Sequence, residues 1–242
     1  MTNDSPTLSV MVMAFNEAAN VESVVTEIRD ALARLPGAPA RDDEIVIIDD
    51  GSTDETGAVA DRLAASIPGV RTIHHDTNRG LGGVYRTGFD TAARDLLMFF
   101  PADGQFPAEI LVDFYPRMRD HDLVLGFVAQ RPRSLVAKTL SRAEKLLYRL
   151  LFGPMPEYQG VFMVPRSVLS AIRLETSGRG WAIVWEMVLR ISRGGYRVVS
   201  VETPLRPRAA GKSKVNSLRS MWINLKQALE LRGHLSRHSR TG

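Results

Sequence analysis

The sequence contains no cysteine. Disulfides and thiolate metal sites are therefore excluded, and a bound cation would have to be held by carboxylates, amides or histidines. Long apolar runs are also missing. The longest, Leu8 to Phe15 and Leu96 to Phe100, fall far short of the roughly 20 residues that cross a bilayer, so no transmembrane helix is expected and any membrane contact is peripheral. Positions 1 to 7 lack the basic-then-apolar order of a secretory signal, so export is not expected either. Charge of one sign does not dominate: 31 Lys and Arg stand against 27 Asp and Glu, for a formal net charge of +4. That weak bias favours anionic partners such as phosphates and acidic lipids; nucleic acid is not among those expected.

What is present can build a sizeable core. The chain has 242 residues, 44% of them hydrophobic, a size that α/β proteins commonly fold as one domain. A single domain over 1–233 is expected, followed by a basic, disordered tail over 234–242.

The first half alternates short apolar runs with helical periodicity, the pattern of βαβ crossovers and a mostly parallel sheet. Strands are expected at Leu8 to Met13, Glu44 to Ile48, Val70 to Ile73 and Leu96 to Phe100. Between the first two, Val21, Val24, Val25, Ile28, Leu32 and Leu35 form one helical stripe. Ser52 to Glu55 have capping-box spacing and start the next helix, which turns Val59, Leu63 and Ile67 inward. A glycine-rich turn from Asn78 to Gly83 leads into a helix through Ala92. Later expectations are a short helix from Ala108 to Arg119, a strand from Asp122 to Gly126 and a long amphipathic helix from Leu135 to Phe152. Strands at Val161 to Val164 and Tyr196 to Val201 follow, with helices at Ala182 to Arg193 and Leu218 to Leu231.

In open α/β sheets ligands gather beyond the carboxyl ends of the strands. Four such turns are polar: Ala14-Phe15-Asn16-Glu17, Asp49-Asp50-Gly51-Ser52, Asn78 to Gly83, and Asp103-Gly104-Gln105. Asp50 could accept a hydrogen bond from a nucleotide base, or join Asp49 in capping a helix. Glu17 could accept from base or ribose hydroxyls, or simply sit as a charge at a helix start. Gly80, Gly82 and Gly83 allow close approach to a nucleotide, but Tyr85 occupies the third position of GxGxxG and argues against a dinucleotide cofactor. Asp103 could bind a cation with Gln105, or close a strand as an Asp-Gly turn.

Together AFNEAANV, EIVIIDDGSTDET, NRGLGGVYRTG, PADGQFP and RAAGKSK resemble family 2 glycosyltransferases of the GT-A fold. Within that family they are similar to dolichol-phosphate mannosyltransferases and bacterial polyprenyl-phosphate glycosyltransferases, from about Leu8 to Leu231. The resemblance implies an α/β fold with a mostly parallel sheet and a nucleotide-sugar donor, carrying mannose on GDP or another sugar on UDP. It further implies Mg²⁺ or Mn²⁺ at Asp103 and Gln105, and donor contacts at Phe15, Glu17, Ile48, Asp50, Asn78, Gly80, Asp103 and Gln105. Catalysis would rest on Asp103 and Arg208, and Arg131, Arg208, Lys212 and Lys214 would hold acceptor or donor phosphates. One departure stands out: the family's Asp-x-Asp would put a carboxylate where this chain has Pro101.

The acceptor implied is a polyprenyl phosphate, already anionic and needing no base, with inversion by in-line displacement. A saccharide or small-molecule hydroxyl would need a base, for which Glu186 is a candidate, though a buried, hydrogen-bonded Glu is the other reading of that residue. A degenerate nucleotide-binding module is the non-enzymatic alternative. Lys138, Arg142, Lys145 and Arg149 fall on one helix face, either solvated or against phosphates or a membrane. The last helix carries Trp222 and either packs on the core or lies at the membrane interface. A cytoplasmic location at the inner face of a membrane, with a separate membrane-protein partner, completes the expectation.

Overall fold

The computed structural model describes residues 5–38, 41–128, 149–207 and 226–233. Among the described residues, seven strands form one sheet: β1 (Leu8–Ala14), β2 (Glu44–Asp49), β3 (Val70–His74), β4 (Leu96–Pro101), β5 (Leu123–Phe127), β6 (Phe162–Pro165) and β7 (Val198–Glu202). Their spatial order is β3-β2-β1-β4-β6-β5-β7. β1, β2, β3 and β4 run parallel, and β5 and β7 are parallel to each other. β6 is antiparallel to both of its neighbours.

All seven residues of β1 are buried, because strands flank it on both edges and helices cover both faces. Leu8, Val10, Val12 and Ala14 alternate onto one face. There they meet α1 (Val21–Leu32), whose Val21, Val24, Val25 and Ile28 form the stripe read from the sequence. Each such side chain taken fully out of water contributes roughly 1.5–3 kcal/mol. Met11 and Met13 point the other way, with Val46 and Ile48 of β2 and Leu97 and Phe99 of β4. That face is covered by α3 (Gly80–Thr91) and α6 (Ala182–Arg193). Tyr85 of α3 is fully buried there, its ring 4.6 Å from that of Phe99. The position that would need glycine in a dinucleotide fingerprint thus belongs to the core.

Several boundaries differ from the expectation. The helix after β2, α2 (Thr56–Ser66), starts four residues beyond Ser52. Ser52 is drawn off, its hydroxyl accepting the Asn16 N–H at 2.9 Å, and the Asp54 carboxylate accepts the Thr56 N–H at 3.0 Å instead. The stretch expected as one helix from Ala108 to Arg119 divides into α4 (Glu109–Phe114) and a 3₁₀ turn (Tyr115–Arg119), with Pro116 at the break. A short helix, α5 (Arg166–Ala171), follows β6 and was not foreseen. Most of the expected helix from Leu135 to Phe152 lies outside the described residues, as does the first part of the one from Leu218 to Leu231. Residues 149–152 and 226–233 are helical.

The chain order reverses between β1 and its neighbour β4. β2 and β3 extend the sheet to one side of β1, whereas β4 adds on the other. A crevice therefore opens at the carboxyl ends of β1 and β4, the usual ligand position in such sheets.

Candidate functional site

The loops leaving β1 and β2 are tied together. Asn16 adopts φ 53°, a left-handed conformation that Asn tolerates better than most residues. Its Oδ1 accepts the Thr53 N–H at 2.8 Å, and the Glu17 N–H donates to Thr56 Oγ1 at 2.8 Å. Glu17 is half-buried and its Oε2 accepts from the Asn20 side chain at 2.7 Å, at the start of α1. Phe15, also half-buried, begins this loop.

At the end of β2 the two aspartates divide the work. Asp49 Oδ1 accepts the Ser52 N–H at 3.0 Å, and its Oδ2 lies 3.1 Å from His74 Nδ1. Asp50 is buried and holds the β3–α3 turn. Its Oδ1 accepts the Arg79 N–H at 2.8 Å and its Oδ2 the Gly80 N–H at 2.9 Å. His75 Nδ1 lies 2.7 Å from the same Oδ1, and its Nε2 2.9 Å from Thr87 Oγ1. His75 was not expected at the site. The parallel register that pairs Asp49 with His74 sets the next residues, Asp50 and His75, side by side as well.

Gly80 and Gly82 of α3 make room for protein backbone, and Gly83 for a side chain. A β-carbon on Gly80 would come 2.6 Å from the Arg179 carbonyl oxygen, and one on Gly83 2.3 Å from the Arg79 side chain. The Gly82 N–H donates to Arg179 O at 3.2 Å. Arg179 closes the contact by donating to the Asn78 carbonyl at 2.6 Å and to Asn78 Oδ1 at 2.5 Å. At Gly80 and Gly82 the close approach expected for a nucleotide is thus filled by the segment at 178–180, and the Asn78 amide oxygen is engaged by Arg179.

Beyond β4, the Ala102 N–H donates to Met13 O at 2.9 Å and carries the β1–β4 pairing to the crevice. Asp103 follows, half-buried, and its Oδ1 accepts the Gln105 N–H at 3.1 Å. Gly104 between them takes φ 69°. This local bond holds the Asp103 carboxylate at the strand end. The Gln105 carbonyl accepts the Arg206 N–H at 2.8 Å, so the chain leaving β7 passes beside the Asp103 turn. The Arg206 guanidinium is held by Glu27 of α1 at 2.8 Å and Glu109 of α4 at 3.5 Å.

Asp103 and Gln105 supply oxygen donors on one turn, which suits a hard cation such as Mg²⁺ or Mn²⁺ that completes its shell with phosphate and water. Among the described residues, no group of three or more His, Cys, Asp or Glu is placed to hold a metal ion.

Ile48 takes another place than expected, and Glu186 takes the buried, hydrogen-bonded one of its two readings. Ile48 is fully buried within the β1–β2–β3 ladder, so its side chain belongs to the core and is not a donor contact. Glu186 is fully buried on α6 and anchors the loop that reaches α3. Its carboxylate accepts the Glu175 N–H at 3.0 Å, the Thr176 N–H at 2.7 Å and the Arg190 guanidinium at 2.8 Å. Burial opposes its charge, but the bonds from Thr176, Glu175 and Arg190 outweigh that and hold the carboxyl below its usual range. A carboxylate so engaged is an anchor and not the base that a hydroxyl acceptor would need. Arg131, Arg208, Lys212 and Lys214 lie outside the described residues.

The glycosyl transferase family 2 model matches residues 9–173. Glycosyltransferase AglD of Haloferax volcanii is 31% identical over 88% of this chain, which spans only 35% of that relative's length. Undecaprenyl-phosphate mannosyltransferase of Micrococcus luteus is 29% identical, with 85% of this chain and 86% of the relative covered. Polyprenol monophosphomannose synthase of Mycolicibacterium smegmatis is 28% identical, with 94% and 88% covered. Among solved structures, glucosyl-3-phosphoglycerate synthase from Mycobacterium tuberculosis in complex with uridine diphosphate matches with a TM-score of 0.69. That likeness covers 94% of this chain and 80% of the other at 19% identity. The same enzyme with Mn²⁺, uridine diphosphate and glucosyl-3-phosphoglycerate gives a TM-score of 0.68. At such identity the likeness shows the architecture, that of the GT-A fold.

Proposed function

The chain belongs to glycosyl transferase family 2 and is a glycosyltransferase of the hexosyl-transferring class, and we propose that it moves a hexose from a nucleotide-diphosphate sugar to a polyprenyl phosphate. The observation that supports this most is the position of Asp103, held by its own turn at the carboxyl end of β4 where the strand order reverses. The lipid phosphate is favoured by the two relatives that this chain matches over most of their length, named for undecaprenyl phosphate and for polyprenol monophosphomannose. The engagement of Glu186 agrees, because a phosphate nucleophile needs no base.

In this reading Glu17, Asp50 and Phe15 face the nucleotide, and the turn at Asn78 and Gly80, held by Asp50, forms the wall beside it. Asp103 with Gln105 holds Mg²⁺ or Mn²⁺, which when bound offsets the negative charge that develops on the departing diphosphate. An oxygen of the acceptor phosphate attacks the anomeric carbon in line. The bond from that carbon to the donor phosphate breaks, its electron pair leaves with the nucleoside diphosphate, and configuration inverts. Arg131, Arg208, Lys212 and Lys214 are assigned to the phosphates of acceptor and donor, and Arg208 is assigned a catalytic role beside Asp103.

No helix of the described residues is long and apolar enough to cross a membrane. Action at the inner membrane face, through peripheral contact and with a separate membrane-protein partner, belongs to the proposal, as do the single catalytic domain over 1–233 and the tail after it. The test is a transfer assay with labelled GDP-mannose and UDP-glucose, offering undecaprenyl phosphate or undecaprenol as acceptor. Label should pass into the organic phase with the phosphate alone. Transfer to the free alcohol, or to neither lipid, would contradict the proposal.

A further inference from the structure

We propose that His75 is a positioning residue for the nucleotide-recognising carboxylate of Asp50, acting through a buried Asp50–His75–Thr87 chain of hydrogen bonds. The inference rests on the donor role proposed above for Asp50.

The His75 side chain is 2% exposed and that of Asp50 5%. A buried carboxylate is stable only if donors surround it. The Arg79 and Gly80 amides supply two, and His75 supplies a side-chain donor at 2.7 Å. Because an ionised carboxylate can only accept, the proton of this contact lies on Nδ1. Nε2 faces Thr87 Oγ1 at 2.9 Å, and a hydroxyl can donate to it or accept from it. The imidazole is therefore fixed at both ends, by the end of β2 and by the middle of α3.

Geometry gives this a consequence for binding. A carboxylate has about four acceptor positions. Arg79 and His75 share Oδ1, while Gly80 takes one position on Oδ2. The remaining Oδ2 position is the one a base N–H can use, and its direction is set once Oδ1 is pinned. Without the imidazole Oδ1 keeps only the Arg79 amide, and the terminal torsion, which is broad in aspartate, is held less tightly. Ligand affinity should then suffer more than folding does, since both backbone amides still hold the turn.

The test is calorimetric titration of the full chain with UDP and with GDP in the presence of Mg²⁺, alongside thermal melts. His75→Leu should weaken the tighter nucleotide about tenfold, the scale of a lost charged hydrogen bond. His75→Asn, whose amide N–H can sit near the Nδ1 position, should recover most of the loss, a rescue that simple cavity filling would not give. A folded His75→Leu with wild-type affinity overturns the proposal, as does His75→Asn binding no better than His75→Leu. Should His75→Leu not fold, Thr87→Val decides: about threefold weaker binding supports the relay, and unchanged binding overturns it. Asp50→Asn separates the two levels. Wild-type affinity there overturns the donor role of Asp50 itself, whereas loss there beside wild-type binding in His75→Leu overturns the His75 proposal alone.

Discussion

A β-carbon on Gly82 would stand 1.9 Å from the carbonyl oxygen of Gly178. Helix α3 and the loop before α6 therefore touch backbone to backbone, and no rotamer change can make space. Gly82→Ala should cost about 1–3 kcal/mol of stability, the usual range for overpacking a closed contact. Gly104→Ala is the control, since its β-carbon would meet only a Val24 methyl at 3.9 Å and φ 69° alone penalises it, by about 1–2 kcal/mol. Urea unfolding of both variants checks this. Gly82→Ala as stable as the wild type would show that the 178–180 segment yields.

Glu186 separates an anchoring role from a catalytic one. Glu186→Ala strips the acceptor from two backbone amides and leaves Arg190 without its buried partner, so a loss of about 3–5 kcal/mol is expected in denaturant unfolding. Turnover per folded molecule should fall by less than tenfold, whereas losing a general base would cost about 10²–10⁴-fold. A loss in that larger range at unchanged stability would restore Glu186 as a base.

His74 ties α2 to the end of β2. Asp61 at 2.9 Å and Asp49 at 3.1 Å raise its pKa above the ordinary histidine value, the Asp61 bond most and against some burial. The folded protein therefore keeps a proton that the unfolded chain has released. This stabilisation is complete below the unfolded value and is lost as pH rises through the folded one. Stability should fall with rising pH in the window just above about 6.5. Denaturant midpoints across that window check it, and Asp61→Asn should flatten the slope. An equal slope in the variant would place its origin elsewhere.

The sheet and its helices were largely legible, because β1 is a short, almost continuous apolar run, apolar residues fall at helical spacing in α1, and α6 spans Ala182 to Arg193 as expected. What the pattern could not carry were contacts made far along the chain. Ser52 has capping-box spacing, yet it bonds Asn16 and leaves the helix start to Asp54. Gly80 and Gly82 invite close approach, but only the folded chain brings Gly178 and Arg179 against them. Ile48 ends an apolar run beside Asp49, and flanking strands seal it in the core. His75 becomes visible as the partner of Asp50 only once β2 and β3 are laid parallel in register.

Asp103 carries the central claim, and the most direct measurement compares Asp103→Asn with the wild type in Mg²⁺-dependent sugar transfer from GDP-mannose or UDP-glucose to undecaprenyl phosphate. The substitution keeps an oxygen for the Gln105 N–H, so the turn and the melting temperature should persist while turnover falls at least about 10²-fold. Transfer within a few fold of the wild type, in a protein that melts as the wild type does, would contradict the account.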